Sequence, residues 1–209
     1  ASTYIYQGMK FIDEELGGTT PVDITIDFGA PAALAAPPPA AAADDEFSQF
    51  EEFTEEKDPA KYWFTTDKLE RINAVHDYLD SLPATGKVLS LATTWKIATT
   101  LNEDKPLDDL SLAILFNSMP ERFKGVLIEP FVSVKDGQAR ITARIKDSMS
   151  GLRRDALLRQ IRKDLVEKLG LREDQFRVTG LMVLYNNMLQ SLYTSQVKTI
   201  GFSTLSLFP

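Results

Sequence analysis

Residues 16–29 read LGGTTPVDITIDFG, and this stretch decides how the start of the fold is predicted. Gly17 and Gly18 interrupt a helical pattern that precedes them, since glycine favours the turn that ends a helix. Apolar side chains then occupy every second position: Val22, Ile24, Ile26 and Phe28. A period of two residues is typical of a strand with one face in the core and the other in water. The stretch therefore predicts a helix, a turn and a half-buried strand.

Helix and strand patterns alternate between residues 66 and 120. Residues 66–82 predict a helix that begins near Thr66 and ends at Pro83. Its predicted buried stripe is Leu69, Ile72, Val75 or His76, and Leu79. Residues 86–91 predict a short strand, and residues 92–102 a helix that follows it directly. A further helix ends before Pro120 and is expected to turn four side chains inward: Leu107, Leu110, Ile114 and Leu115.

The second half repeats this pattern. Residues 125–147 predict a β-hairpin with a tight turn at Asp136 and Gly137. Residues 152–169 predict a helix with Leu158, Ile161, Leu165 and Leu169 on one side. Residues 176–180 predict the last strand, and a terminal helix leaves from it. This order of elements predicts an α+β fold, a ferredoxin-like split β-α-β sandwich with extra helices.

Residues 30–59 separate the first strand from the rest and differ in composition. They are rich first in alanine and proline, and from residue 44 to 59 they carry eight acidic residues against the single Lys57. Such a segment cannot bury a core, so we predict a flexible insertion. Phe47, Phe50 and Phe53 have helical spacing within it.

The composition excludes several kinds of chemistry. The net charge of −7 disfavours nonspecific binding of nucleic acids, which requires a cationic surface. The chain has no cysteine, and His76 is its only histidine, so catalytic triads and multi-histidine metal sites are excluded. We expect His76 to be packed or at the surface. The chain is therefore predicted to be neither an enzyme nor a metal or cofactor protein.

The terminal helix is more apolar than one buried stripe requires. Six residues would fill such a stripe: Leu181, Leu184, Tyr185, Met188, Leu192 and Val197. Met182, Leu189 and Tyr193 widen the apolar surface beyond it. A surface of this kind is consistent with a deeply buried helix, with a partner surface or with a pocket for an apolar ligand.

Several stretches, in this order, resemble the first periplasmic loop domain of RND-superfamily permeases. They are ELGGTTPVDITID, DKLERINAVHDYLDSLPATGKVLSLAT, RITARIKD, LRRDALLRQIRKDL and VTGLMVLYNNMLQSLYTSQVKTIGFS. The similarity covers residues 11–28 and 62–202 and is greatest to the lipid-exporter branch, which includes MMPL-type, hopanoid and sterol transporters. The insertion at 30–59 is not part of the family pattern. The absence of an initiator methionine and of a signal peptide agrees with an excised piece of such a protein.

The resemblance implies an organisation. Residues 1–29 supply the first helix and strand of a periplasmic domain, 30–59 the insertion, 60–202 the remainder, and 203–209 the lead-in to a transmembrane helix beyond this sequence. The domain then belongs to a bacterial inner-membrane protein with an RND porter-type fold. Its partners are an apolar lipid, the rest of the permease with its transmembrane helices, and a periplasmic carrier or adaptor.

The implied function is to bind an apolar lipid, such as a sterol or hopanoid, and pass it toward periplasmic carriers. A pocket for such a ligand needs adaptable apolar side chains and few polar groups. The candidate lipid-binding residues are those in excess of core needs: Trp95, Leu112, Phe116, Phe123, Met182, Tyr185, Met188 and Leu189. Tyr185 or Asn186 is the candidate polar contact. The alternative hypothesis is a docking or assembly domain that recruits an adaptor or partner subunit and binds no lipid.

Overall fold

A computed structural model of the chain describes residues 3–29, 63–101 and 109–207. Within these ranges the chain is α+β, with one antiparallel sheet and seven α-helices. The strands are β1 (Thr20–Asp27), β2 (Thr85–Leu89), β3 (Val132–Ser133), β4 (Gln138–Ile145) and β5 (Phe176–Thr179). The helices are α1 (Tyr4–Glu15), α2 (Thr66–Asp80), α3 (Leu91–Leu101), α4 (Asp109–Ser118), α5 (Glu121–Leu127), α6 (Arg154–Glu167) and α7 (Leu181–Leu207). The predicted insertion at 30–59 lies outside the described residues.

The sheet has the strand order β2-β4-β1-β5, with the short β3 paired to β4. Strands β2 and β4 are antiparallel, with Val88 opposite Ala143 and Leu89 opposite Thr142. The register shifts between Thr85 and Lys87, so Gly86 is an extra residue in β2. An extra residue of this kind is a β-bulge, which bends the strand locally.

The chain divides into two compact units. The first comprises Ala1–Thr25, Asp77–Leu89 and Thr142–Pro209, and the second comprises Ile26–His76 and Ser90–Ile141. Strands β1 and β4 and helix α2 contribute residues to both.

Each unit has an apolar core built from the faces that the sequence pattern predicts. In the first unit, α6 buries Leu158, Ile161 and Leu165 on the side that carries their helical period. Leu169, expected on the same side, lies beyond the end of α6. In the second unit, α2 buries Leu69 and Ile72. The sequence left open whether Val75 or His76 belongs to the buried stripe of α2, and the structure shows that both are buried.

The prediction from residues 16–29 is confirmed. Helix α1 ends before Gly17 and Gly18, which have φ angles of 73° and 96°. Only glycine adopts such angles readily, so the double glycine sets the turn. Strand β1 follows with alternating burial, its Val22, Ile24 and Ile26 side chains facing the core.

Two local predictions were wrong. The hairpin with a turn at Asp136 and Gly137 is present, but its first strand is shorter than predicted: α5 runs through Leu127, a turn follows, and only Val132 and Ser133 pair with β4. Pro120 precedes α5, and Lys124 pairs with Glu121 one turn earlier at 2.9 Å, which favours the helix. On α4, Ile114 and Leu115 were expected inward, yet they are 56% and 40% exposed.

Helix α7 is largely uncovered. Met182 is buried, but the predicted core stripe is not: Leu181, Leu184, Tyr185, Met188, Leu192 and Val197 are all exposed. The helix continues through Leu207, beyond the predicted start of the lead-in at residue 203. Helix α1 likewise exposes Tyr4, Ile5, Met9 and Phe11. None of the helices in the described ranges has the length and apolarity required to cross a membrane.

Candidate functional site

The second unit contains an apolar groove of about 50 Å³ between α3 and α4, which we call the α3–α4 groove. Its walls come from the start of α2, one face of α3, one face of α4 and the residue that follows α5. The lining residues are Phe64, Leu69, Leu91, Thr94, Trp95, Ala98, Leu112, Leu115, Phe116, Met119 and Ile128. Thr94 is the one hydroxyl-bearing residue among them, so the groove offers an almost entirely apolar surface.

Helical periodicity aligns the two main walls. On α3 the lining residues Leu91, Trp95 and Ala98 recur at intervals of four and three residues. Along α4 and just past its end, Leu112, Leu115 or Phe116, and Met119 recur in the same way. Residues three or four apart lie on the same face of a helix, so each segment presents a continuous apolar stripe.

Two tethers hold these walls in place. Asp109, at the start of α4, accepts hydrogen bonds from the backbone N–H and hydroxyl of Thr66 at 2.7 and 2.6 Å. The carboxylate therefore lies at the N-terminus of α2, where a negative charge is favourable. Thr94 donates its hydroxyl proton toward the Leu127 carbonyl at 3.4 Å, which links α3 to the end of α5.

Aromatic rings extend from the groove into the core of the second unit. The rings of Phe64 and Phe116 lie 4.6 Å apart at 31°. Trp63 meets Phe64 edge-on at 5.1 Å and Phe28 edge-on at 5.9 Å. Such contacts add to the stability given by burial alone, so one wall of the groove is anchored to a rigid cluster.

Two lysines lie over the aromatic rings. Lys124 Nζ is 4.6 Å from the Phe116 ring and also pairs with Glu121. Lys68 Nζ is 4.8 Å from the Trp63 ring and donates to the Trp63 carbonyl at 3.1 Å. Burial lowers the pKa of Lys68, against the neighbouring charge of Asp67. Both ammonium groups therefore already interact with π faces and oxygen acceptors.

One polar atom of the groove residues is unsatisfied. The indole Nε1–H of Trp95 is buried and has no hydrogen-bond partner among the described residues. Buried donors in folded proteins are nearly always paired, so each exception calls for an explanation.

The eight predicted lipid-binding residues do not line one groove. Trp95, Leu112 and Phe116 line the α3–α4 groove, whereas Phe123 is 45% exposed on α5, with Arg122 stacked 4.8 Å from its ring. The other four belong to α7 in the first unit: Met182 is buried, and Tyr185, Met188 and Leu189 are exposed. Asn186, a candidate polar contact, lines a polar depression with Arg159 and Arg162 of α6.

Sequence reasoning missed several wall residues. Phe64 and Ile128 stand just outside the regular helices, where periodicity carries no information, and Met119 continues the spacing of α4 one residue past its end. Leu115 was assigned to the core on its helical period. The spacing of Leu112, Phe116 and Met119 along α4 is the signal that could have extended the predicted site.

His76 is buried on α2 and contacts the start of α3 through Ser90. Its Nδ1 is 2.9 Å from Ser90 Oγ, and the same oxygen accepts the backbone N–H of Ala92 at 3.1 Å. Ser90 thus caps the start of α3 and ties it to α2. The described residues contain no group of three or more His, Asp or Glu side chains placed to hold a metal ion.

The cationic residues of α6 alternate with acidic partners. Arg154 makes two hydrogen bonds to Asp147 at 2.8 and 2.7 Å. Arg159 pairs with Asp155 at 2.8 Å, and Lys168 pairs with Asp164 at 2.9 Å. The pairs of Arg154 and Arg159 are those of a solvated helix face, as its interleaved charges predict, whereas Asp164 is buried and also accepts a hydrogen bond from the Tyr78 hydroxyl at 2.9 Å.

Comparison of the chain with protein-family models, with curated proteins and with solved structures gives no match.

Proposed function

We propose that this chain is the periplasmic domain of an RND-type lipid transporter of the bacterial inner membrane. It binds an apolar lipid, such as a sterol or hopanoid, and passes it toward a periplasmic carrier without covalent chemistry. The observation that carries the proposal is the α3–α4 groove, whose lining residues are apolar except for the Thr94 hydroxyl and the indole nitrogen of Trp95. Binding sites for apolar molecules have this character, with few polar groups among apolar and aromatic side chains.

The arrangement of the strands supports the proposed family. Leaving the short β3 aside, the elements follow the order β1-α2-β2, β4-α6-β5, with three helices between the halves. The strand order β2-β4-β1-β5 places β4 between β1 and β2, and β1 between β4 and β5. A split β-α-β pair arranged in this way is the ferredoxin-like pattern, and we propose that the sheet belongs to it, in the form found in RND porter domains.

The exposed apolar residues of α1 and α7 support a larger assembly. Large apolar side chains exposed along a helix mark an interaction site. We propose that the rest of the permease covers these two helices. Their exposed side chains include Phe11, Leu192 and Phe202. These exposed side chains are also the observation that favours the second candidate, a docking domain that binds a partner subunit and no lipid.

The volume of the groove restricts how a lipid binds. Ligand pockets generally measure about 300–1,000 Å³, whereas this groove measures about 50 Å³. In this conformation it therefore receives one end of a lipid. A rigid sterol or hopanoid body enters further only if α3 and α4 separate.

The first prediction tests the groove with two neighbouring residues of α4. Leu115 lines the groove and Ile114 does not, although both are exposed, by 40% and 56%. We expect Leu115→Asp to weaken lipid binding at least about tenfold, because the ligand would desolvate a carboxylate that no groove residue pairs. Ile114→Asp should leave affinity within about twofold of the unchanged chain, since a surface charge has little effect there.

Binding of a sterol, a hopanoid and a fatty acid is measured for both variants by microscale thermophoresis. Circular dichroism checks that each variant is folded. Equal affinities of the two variants would contradict the assignment of the groove. If none of the three lipids binds the folded, unchanged chain in a saturable manner, the transporter proposal fails and the docking domain is favoured.

A further inference from the structure

Trp95 is the feature of the α3–α4 groove that an entirely apolar ligand leaves unexplained. Its ring lines the groove, and its buried Nε1–H has no partner among the described residues. The nearby polar groups are already engaged: Thr94 donates to the Leu127 carbonyl, and Lys124 pairs with Glu121. The indole N–H is therefore the unpaired donor among the described groove residues, and because its nitrogen is sealed from solvent in this conformation, a ligand oxygen reaches it only when α3 and α4 separate.

We infer that the groove takes its ligand with the polar end first, and that a hydroxyl or carbonyl oxygen of the ligand accepts a hydrogen bond from Trp95 Nε1. This inference rests on the proposed function of the groove. The ligand class is a neutral amphiphile with one oxygen acceptor at the end that enters. A carboxylate is a poor fit, because a single neutral donor in an apolar wall does not compensate for burying a charge.

A hydrogen bond from the ligand oxygen to this indole contributes more binding free energy than one to a solvent-exposed tryptophan would. A sealed, unpaired donor is unfavourable in the free protein, and pairing it on binding removes that penalty. Sites that hydrogen-bond a ligand hydroxyl reject analogues that lack it, since the buried polar group is then left unpaired. The groove should therefore discriminate by the oxygen as well as by apolar shape.

Trp63 provides a matched comparison. Its Nε1 is also buried and unpartnered among the described residues, but the residue is only 1% exposed and does not line the groove. An unpaired indole is thus not by itself a ligand site. The difference between the two tryptophans is that Trp95 is a lining residue of the groove and Trp63 is not.

The direct test uses the two indole N–H signals of the chain, which has two tryptophans. The ¹⁵N-labelled protein is titrated with 1-hexanol and with heptane, which differ only by a terminal hydroxyl in place of a methyl group. The single variants Trp95→Phe and Trp63→Phe assign the signals. We expect 1-hexanol to move the Trp95 Nε1 proton downfield and heptane not to do so, while neither ligand moves the Trp63 proton in that way.

A thermodynamic cycle gives the second readout. Relative to heptane, binding of 1-hexanol should weaken about tenfold in Trp95→Phe, because the ring is kept and the donor is lost. In Trp63→Phe, the ratio of the affinities for 1-hexanol and heptane should equal that of the unchanged chain. If both ligands bind, but the ratio is the same in Trp95→Phe and the Trp95 proton does not move downfield with 1-hexanol, the polar-end-first inference is overturned and the groove remains an apolar site. If neither ligand binds, the proposed function of the groove itself is overturned.

Discussion

Replacing Gly86 by alanine is expected to lower the free energy of unfolding by about 3 kcal/mol or more, or to prevent folding. A Cβ atom at this position would lie 2.4 Å from the carbonyl carbon of Gly17, 2.5 Å from its oxygen and 2.6 Å from its Cα. These are backbone atoms, so no side chain can turn aside to make room. The β-bulge of β2 and the turn between α1 and β1 therefore approach each other as bare backbone.

The turn also lies close to strand β4. Gly17 and Gly18 both have positive φ angles, and a Cβ on Gly18 would itself meet the backbone of Ile145 at 2.7 Å. The turn is thus confined by β2 on one side and by β4 on the other. Any shift that relieves Gly86→Ala would compress the contact with β4.

Chemical denaturation followed by circular dichroism measures the effect. Gly8→Ala is the control in the same unit: Gly8 lies within α1 with nothing within 4 Å of its added Cβ. Alanine is the better helix former by about 1 kcal/mol, so this variant should match or exceed the stability of the unchanged chain. A Gly86→Ala protein as stable as Gly8→Ala would show that the close approach is not rigid.

Elements governed by local periodicity could be predicted from the sequence. The alternation in β1, the apolar stripes of α2 and α6, and the glycine turn after α1 depend on neighbours within a few residues, and the structure confirms them. Residues 125–128 were misread because GVLI suits a strand or a helix equally. The preceding Pro120 and the Glu121–Lys124 pair favour the helix.

The candidate site was less predictable because it depends on contacts distant in sequence. The tether from Thr66 to Asp109 spans 43 residues, and Phe64 meets Phe116 across a similar separation. No local pattern encodes which apolar faces will meet. Apolar character also does not say what covers a helix, so Met188 and Leu189 on α7 were assigned to a pocket although they are exposed.

Asp13 holds the end of α1 against two other segments of the first unit. One carboxylate oxygen accepts the backbone N–H and hydroxyl of Thr19 at 2.8 and 2.6 Å, and the other accepts the same two groups of Ser148 at 2.8 and 2.6 Å. The residue is only 2% exposed. All four donors are neutral, so within the described part of the chain the ionised carboxylate is stabilised by hydrogen bonds and not by an ion pair.

These hydrogen bonds make the stability of the chain depend on pH in the acid range. Burial alone would raise the pKa of Asp13, but the bonds from Ser148 and Thr19 outweigh burial and lower the pKa from 3.8 to about 2. A carboxyl whose pKa is lower in the folded state stabilises the fold above its unfolded pKa. That contribution, about 2 kcal/mol, is fully present above pH 5 and is lost as the pH falls from about 4 to about 2.

Asp13→Asn should therefore lower the free energy of unfolding at pH 7 by about 2–4 kcal/mol, because the amide nitrogen cannot accept the two bonds that one carboxylate oxygen accepts. Urea denaturation at pH 7, 4, 3 and 2.5 measures both proteins, and the difference between them should shrink over the acid range as the carboxyl of the unchanged chain becomes protonated. The neighbouring Glu14→Gln is the control, since Glu14 is exposed and meets only Lys10 at 3.7 Å among the ion pairs of the described residues. Its effect should stay within about 0.5 kcal/mol, as for an exposed pair. A difference between Asp13→Asn and the unchanged chain that is small at pH 7, or that does not change with pH, would show that the four hydrogen bonds do not hold α1 in place.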